Sequence, residues 1–113
     1  MKSVALIGSS GFIGRSLIQY ISTHKKKINK IYCISRRATS VSGNKKKIFR
    51  IQKNILHLKK LPEVDGIIYL IKSKNLTESK KNFSRFRELL KQFKKNPKIL
   101  YISPGVIYWK NEK

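Results

Sequence analysis

Three glycines at the point where a strand pattern becomes a helix pattern constrain this chain more than any other feature. The apolar run Val4-Ala5-Leu6-Ile7 stops at Gly8, and Gly11 and Gly14 follow. Ile13, Leu17, Tyr20 and Ile21 then recur with the spacing of one helix face. Strand, glycine turn and helix together present backbone N–H groups and a helix N-terminus to an anion, phosphate above all. Each glycine has a physical task. Gly8 lets the chain leave the strand sharply, with a positive φ open to it. Gly11 offers backbone without a Cβ for close approach by a pyrophosphate, and Gly14 lets the first helical turn pack tightly on the sheet. Ser9 and Ser10 add hydroxyl donors at the same turn.

The rest of the chain continues the alternation. Strands are expected at Ser3–Ile7, Lys30–Ile34, Lys47–Ile51, Gly66–Ile71 and Lys98–Ile102. Most are short, nearly continuous apolar runs, as in parallel strands covered on both faces. A first helix is expected over about Phe12 to Thr23. A short one is expected near Ile55–Leu61, stopped by Pro62, and a long one over about Leu76–Lys95. Asn75, with Glu78 three residues on, has the form of a helix cap. Phe83, Phe86, Leu90 and Phe93 form the expected buried stripe, and Asn96-Pro97 ends the helix. Residues 35–44 are polar and read as a loop. The 113 residues make one domain, 1–113, of α/β class: a doubly wound parallel sheet of about five strands.

Composition narrows the function. No apolar run is long enough, at about 18 residues, to cross a membrane, and the N-terminus enters a strand pattern directly, so a cytoplasmic protein is expected. Cys33, the single cysteine, lies in an apolar run and reads as a buried thiol. His24 and His57 have no metal-ligand spacing to Cys33 or to the acidic residues. The 27 Lys and Arg against 5 Asp and Glu give a net charge of +22, a field that attracts polyanions. The lysines fall in short clusters at element ends, and no nucleic-acid-binding motif accompanies them. Any nucleic-acid binding is therefore expected to be non-specific.

Ligands of a doubly wound sheet bind beyond the carboxyl ends of its strands. Ser35-Arg36-Arg37 follows the second strand, about 20 residues after the glycines, where such folds read the ribose. No carboxylate stands there to accept from a 2′-hydroxyl. Arg36, with Arg37, suits a 2′-phosphate instead, which favours NADP over NAD. After the third strand come Asn54 and Ile55. Asn54 either caps a helix or accepts from an adenine amino group, and both readings stand.

GSSGFIGR, the SRR after the second strand, and KILYISPGVIYW resemble the N-terminal half of the extended short-chain dehydrogenase/reductase family, which includes the NAD-dependent epimerases and dehydratases of nucleotide sugars. The resemblance covers nearly the whole chain, but only a third to a half of a typical member. It implies a Rossmann-like fold binding NAD(P) through Gly8, Ser10, Gly11, Phe12, Ile13 and Gly14, with Arg36 reading the ribose or its phosphate. It places Asn54 where an Asp is usual, and Ile71 where small residues usually face the cofactor. The family's catalytic Ser falls on Pro104, with Ser103 one position early. Its Tyr-x-x-x-Lys pair is absent, because the residues four beyond the five tyrosines are His24, Arg36, Ser73, Gly105 and Glu112. The resemblance therefore implies a cofactor-binding domain without catalysis of its own. The alternatives are one part of an active epimerase or reductase completed by another chain, or a basic polyanion-binding module. With no sixth strand expected beyond the fifth, the exposed sheet edge implies self-association or a partner.

Overall fold

The structure is a computed structural model that describes residues 2–38, 48–73, 75–103 and 106–110, the last five and Ser103 as backbone only. Strands β1 (Ser3–Ile7), β2 (Lys30–Ser35), β3 (Ile48–Gln52), β4 (Gly66–Tyr69) and β5 (Lys98–Ser103) run parallel in the order β3-β2-β1-β4-β5. Helix α1 (Phe12–His24) joins β1 to β2, and α2 (Leu76–Leu90) joins β4 to β5. The chain builds outward from β1 in one direction through β2 and β3 and in the other through β4 and β5. The carboxyl ends of β1 and β4 therefore flank the point where strand order reverses, the place for a ligand crevice. The Rossmann-like expectation holds.

Strand alternation builds the two layers. Val4 and Leu6 pack with Ile18 and Ile21 of α1, together with Ile31 and Cys33 of β2. Ala5 and Ile7 face the other way, into a core completed by Ile34, Ile67, Ile99 and the α2 residues Phe86 and Leu89. Phe86 is fully buried, whereas Phe83, Leu90 and Phe93 are half-buried around that core. Leu89 and Asn82, outside the expected stripe, are buried as well. Tyr69 lies 4.6 Å from Phe86, centroid to centroid, and Phe83 lies 5.7 Å from Tyr101, so rings from β4, β5 and α2 interlock. Burial pushes the Tyr69 phenol up to about 12 and the Cys33 thiol up to about 11, the latter against the opposing charge of Arg50.

Several boundaries differ from expectation. The segment after β3 forms one 3-10 turn, Ile55–His57, and then extends, so that Leu58 and Leu61 both reach the α2-side core. Arg85 of α2 donates to the Leu58 carbonyl and holds that extended course. Helix α2 stops at Leu90 and tightens into i→i+3 turns, where Gln92 N–H donates to Leu89 and Phe93 N–H to Leu90. The Glu63 carboxylate accepts from the Lys94 N–H at 3.0 Å, which fixes the exit. Lys47 and most of the expected polar loop lie outside the described residues.

The expected bare edge at β5 is corrected. Residues Val106–Lys110 form β6, antiparallel to β5, with Ser103 opposite Val106 and Ile99 opposite Lys110. Two residues separate the runs, a spacing that permits a hairpin and forbids a parallel crossover. The sheet edges are therefore β3 and β6.

Asp65 clasps the opposite end of the sheet. Its Oδ2 accepts from the N–H groups of Lys2 at 2.7 Å and Ser3 at 3.2 Å, and its carbonyl accepts from Lys98 N–H at 3.0 Å. The two backbone bonds hold its carboxyl below the ordinary value of 3.8. A depressed carboxyl stabilises the fold fully above that ordinary value and ceases to as pH falls through the depressed one. Asp65→Ala is expected to lower the thermal midpoint at neutral pH. The gap to the parent protein should narrow once pH falls below 3.8 and close as it passes through the depressed value, as scanning calorimetry across pH would show. Phe86→Ala, which empties the centre of the aromatic cluster, is expected to cost about 3–5 kcal/mol by urea denaturation.

Candidate functional site

The glycine turn is built by steric need at two of its three glycines. Gly8 has φ of +88°, the one described residue in the left-handed region. A Cβ there would stand 2.9 Å from the Ile71 nitrogen and the Leu70 carbonyl carbon. At Gly14 a Cβ would lie 2.6 Å from the Ser9 carbonyl oxygen, so the first turn of α1 sits on the backbone of the glycine turn itself, where contact with the sheet was expected. Ser9 is correspondingly buried beneath it and Ser10 faces the cleft, so only one of the two serines is presented to a ligand.

Gly11 is different. A Cβ there would meet nothing within 4 Å, and its φ of −77° is available to any residue. It is the N-cap of α1, a position where Ser, Asp or Asn stabilises a helix better than glycine does. Gly11 has no side chain with which to cap α1, so the cap residue itself offers the first-turn N–H groups no acceptor. Helix α2, by contrast, is capped by Asn75, whose Oδ1 accepts from the Glu78 N–H at 2.9 Å.

The turn opens on a cleft of about 760 Å³ at the carboxyl ends of the strands. It is lined by Gly8, Ser10 and Gly11, by Arg36 and Arg37 after β2, by Asn54 and Ile55 after β3, and by Ile71 after β4. Eight of the residues singled out in the sequence thus converge on one space. The Ser35 hydroxyl donates to the Arg37 carbonyl, a local turn that leads both exposed arginines out at the rim. Phe12, Ile13 and Gly14 do not line the cleft: Phe12 and Ile13 are exposed at 77% and 50%, and Gly14 is buried.

Asn54 has a structural partner. Its Oδ1 accepts from the Leu56 N–H at 3.0 Å and caps the 3-10 turn, while the residue still lines the cleft. A carbonyl oxygen has two lone pairs, so one acceptor site remains for a ligand donor. Ile71 joins Ile34 and Ile55 as apolar lining of the cleft, the kind of surface on which a flat base packs.

Sequence reasoning missed the wall contributed by the start of α2: Thr77, Glu78, Lys81 and Asn82. Asn82 is buried and donates to the Ser73 hydroxyl at 3.2 Å. The signal was available, because the helix that follows β4 must start at the strands' carboxyl ends and so at the crevice. Lys53, Lys72 and Lys81 join Arg36 and Arg37 there against the single carboxylate of Glu78, which makes the cleft electropositive. Ser103 as a side chain, Pro104 and Gly105 lie outside the described residues. No cluster of His, Cys, Asp and Glu fit to hold a metal is present among the described residues. No described helix is long and apolar enough to cross a membrane.

A family profile described as male sterility protein, of NAD-binding type, matches residues 6–103. Among solved structures, uronate dehydrogenase from Agrobacterium tumefaciens superposes with a TM-score of 0.68 at 14% identity, over 91% of this chain and 41% of that one. The likeness is therefore one of fold, and the chain spans less than half the length of that protein. No curated protein sequence matches the chain. The family match and the shared fold bear out the resemblance to the N-terminal part of the extended short-chain dehydrogenases.

The three glycines are expected to respond differently to alanine. Gly8→Ala and Gly14→Ala drive a Cβ into backbone and should each lower stability by roughly 2 kcal/mol or more. Gly11→Ala should change it by less than about 1 kcal/mol. Thermal melts of the three variants check this ordering.

Proposed function

The chain belongs to the NAD-binding family described as male sterility protein, and we propose that this domain prefers NADP to NAD and does not by itself turn over a substrate. Gly11 carries the reading. It is a glycine that neither backbone conformation nor packing requires, at the uncapped N-terminus of α1 and on the wall of an electropositive cleft. A pyrophosphate lying against that backbone accounts for all three facts: it uses the missing Cβ, accepts from N–H groups that the cap residue leaves uncapped and satisfies the local charge.

The preference for NADP rests on the residues just beyond β2. Arg36 and Arg37 are exposed at the rim, and no Asp or Glu stands beside them to accept from a ribose 2′-hydroxyl. A guanidinium pairs with a 2′-phosphate through charge-assisted bonds. The apolar lining of Ile34, Ile55 and Ile71 would receive the adenine, with the remaining lone pair of Asn54 as its acceptor. The nicotinamide, when bound, would supply hydride chemistry. This chain's residues supply binding and orientation, because a Tyr-x-x-x-Lys pair for proton transfer is absent from its sequence.

Titration of NADPH and NADH fluorescence tests both parts. NADPH is expected to bind at least about tenfold more tightly, a difference of about 1.4 kcal/mol. Arg36→Ala should remove most of that difference by weakening NADPH and leaving NADH unchanged. Gly11→Glu should abolish binding of both while the fold still melts cooperatively. Binding that survives Gly11→Glu and falls steeply with salt would instead mark non-specific attraction of a polyanion to the +22 surface. Equal affinities for the two cofactors would remove the proposed role of Arg36.

A further inference from the structure

The two faces of the sheet are not equally covered. On one face α2 and the segment after β3 seal β1, β4 and β5. On the other, α1 lies over β1 and β2, and its cluster reaches only as far as Ile68 and Leu70 on the β4 side. No other helix among the described residues is available to cover β5 there. Ile99 and Tyr101 pack toward α2. By strand alternation Leu100 faces the opposite way, where it lines an open groove of about 640 Å³ with Val4, Ile21, Ile28 and Ile68. Lys25, Lys26 and Lys27, from the connection between α1 and β2, and Lys98, at the start of β5, stand around it.

We propose that this groove docks an acidic amphipathic helix of a partner polypeptide. The site lies away from the cofactor cleft, and the two share no lining residue. Three observations select the occupant. Parallel strands such as β4 and β5 are apolar toward both faces and persist where both are covered, so the bare face calls for an apolar cover. Its surface is a concave groove beside a helix, the shape that admits the apolar face of another helix, whereas a flat bilayer surface would not fill it. Its rim is cationic on the described side, which suits carboxylates flanking the apolar stripe of the incoming helix. The same charge disfavours a second copy of this chain, because two proteins of +22 would meet lysine rim to lysine rim.

The test uses a labelled synthetic peptide of about 18 residues, roughly five helical turns, with leucine along one face and glutamate along its flanks. Its fluorescence anisotropy is followed against the whole chain. Saturable binding is expected. The triple variant Lys25→Glu/Lys26→Glu/Lys27→Glu should weaken it at least about tenfold, whereas the equally charge-reversed Lys59→Glu/Lys60→Glu/Lys95→Glu should change it about twofold or less. The altered lysines are exposed, and both variants are expected to give cooperative circular dichroism melts. A Lys-flanked peptide with the same leucine face should bind at least about tenfold more weakly than the Glu-flanked one. Absence of saturable binding, or equal weakening by the two triple variants, overturns the proposal. So does a concentration-dependent dimer in light scattering that the first triple variant abolishes, which would assign the groove to a second copy. Groove-dependent binding to vesicles of anionic lipid without peptide binding would assign it to a membrane and overturn it too.

Discussion

The meeting of three strand ends at Gly8 is the constraint on which the rest of the structure depends. Gly8 N–H donates to the Ile34 carbonyl at 2.7 Å, which ties the end of β1 to β2. Leu70 N–H donates to the Ile7 carbonyl at 2.8 Å, which ties it to β4. The chain must therefore reverse between two neighbouring strands, against the backbone of Leu70 and Ile71, with φ of +88°. Only a residue without a Cβ does this without strain. The direction in which α1 departs follows from that turn, as does the seat of Gly14 on Ser9. Gly11 is thereby left at the rim, where its backbone opens on the cleft.

This part of the molecule was legible because its causes are local. The glycine spacing, the change from strand to helix period and the short apolar runs all lie within a few residues of what they determine, and strand identities and order of appearance follow from them. The positions of Arg36, Asn54 and Ile71 at strand ends were legible for the same reason, since a doubly wound sheet places every strand's carboxyl end on one side. Their convergence on one cleft needed no knowledge of side-chain packing.

The parts that were not legible have distant causes. The segment Leu58–Leu61 has helical spacing, but the bond from Arg85, 27 residues away, holds the Leu58 carbonyl outside a helix. The α2 stripe continues on paper to Phe93, yet Glu63 captures the Lys94 N–H from 31 residues away and the chain tightens into turns. No strand is expected at Val106–Lys110 until its two-residue spacing from the fifth strand is weighed as a hairpin. Propensity decides such segments only where no tertiary bond competes. The missed wall of the cleft, Thr77 to Asn82, is different in kind: its placement is topological, and the rule that placed Arg36 would have placed it.

The same requirement of parallel strands, cover on both faces, links the cleft to the groove. The crevice exists because helices leave β1 and β4 on opposite faces at the carboxyl ends, where their N-termini and the cationic side chains of strand ends gather. The groove exists because that two-sided cover stops at the α1 edge of β4, close to the amino ends of β4 and β5, where Lys25, Lys26, Lys27 and Lys98 gather. Both openings are positive, but for different physical reasons. In the cleft, strand ends and the start of α1 fix backbone N–H groups and guanidinium groups around one space. At the groove, flexible lysines surround an apolar floor and set only the sign of what can lie there. Nine of the 27 Lys and Arg thus stand at these two openings, five at one with geometry and four at one with polarity. Screening by salt should act far more strongly on the second, since exposed lysines act through solvent while backbone donors act at contact.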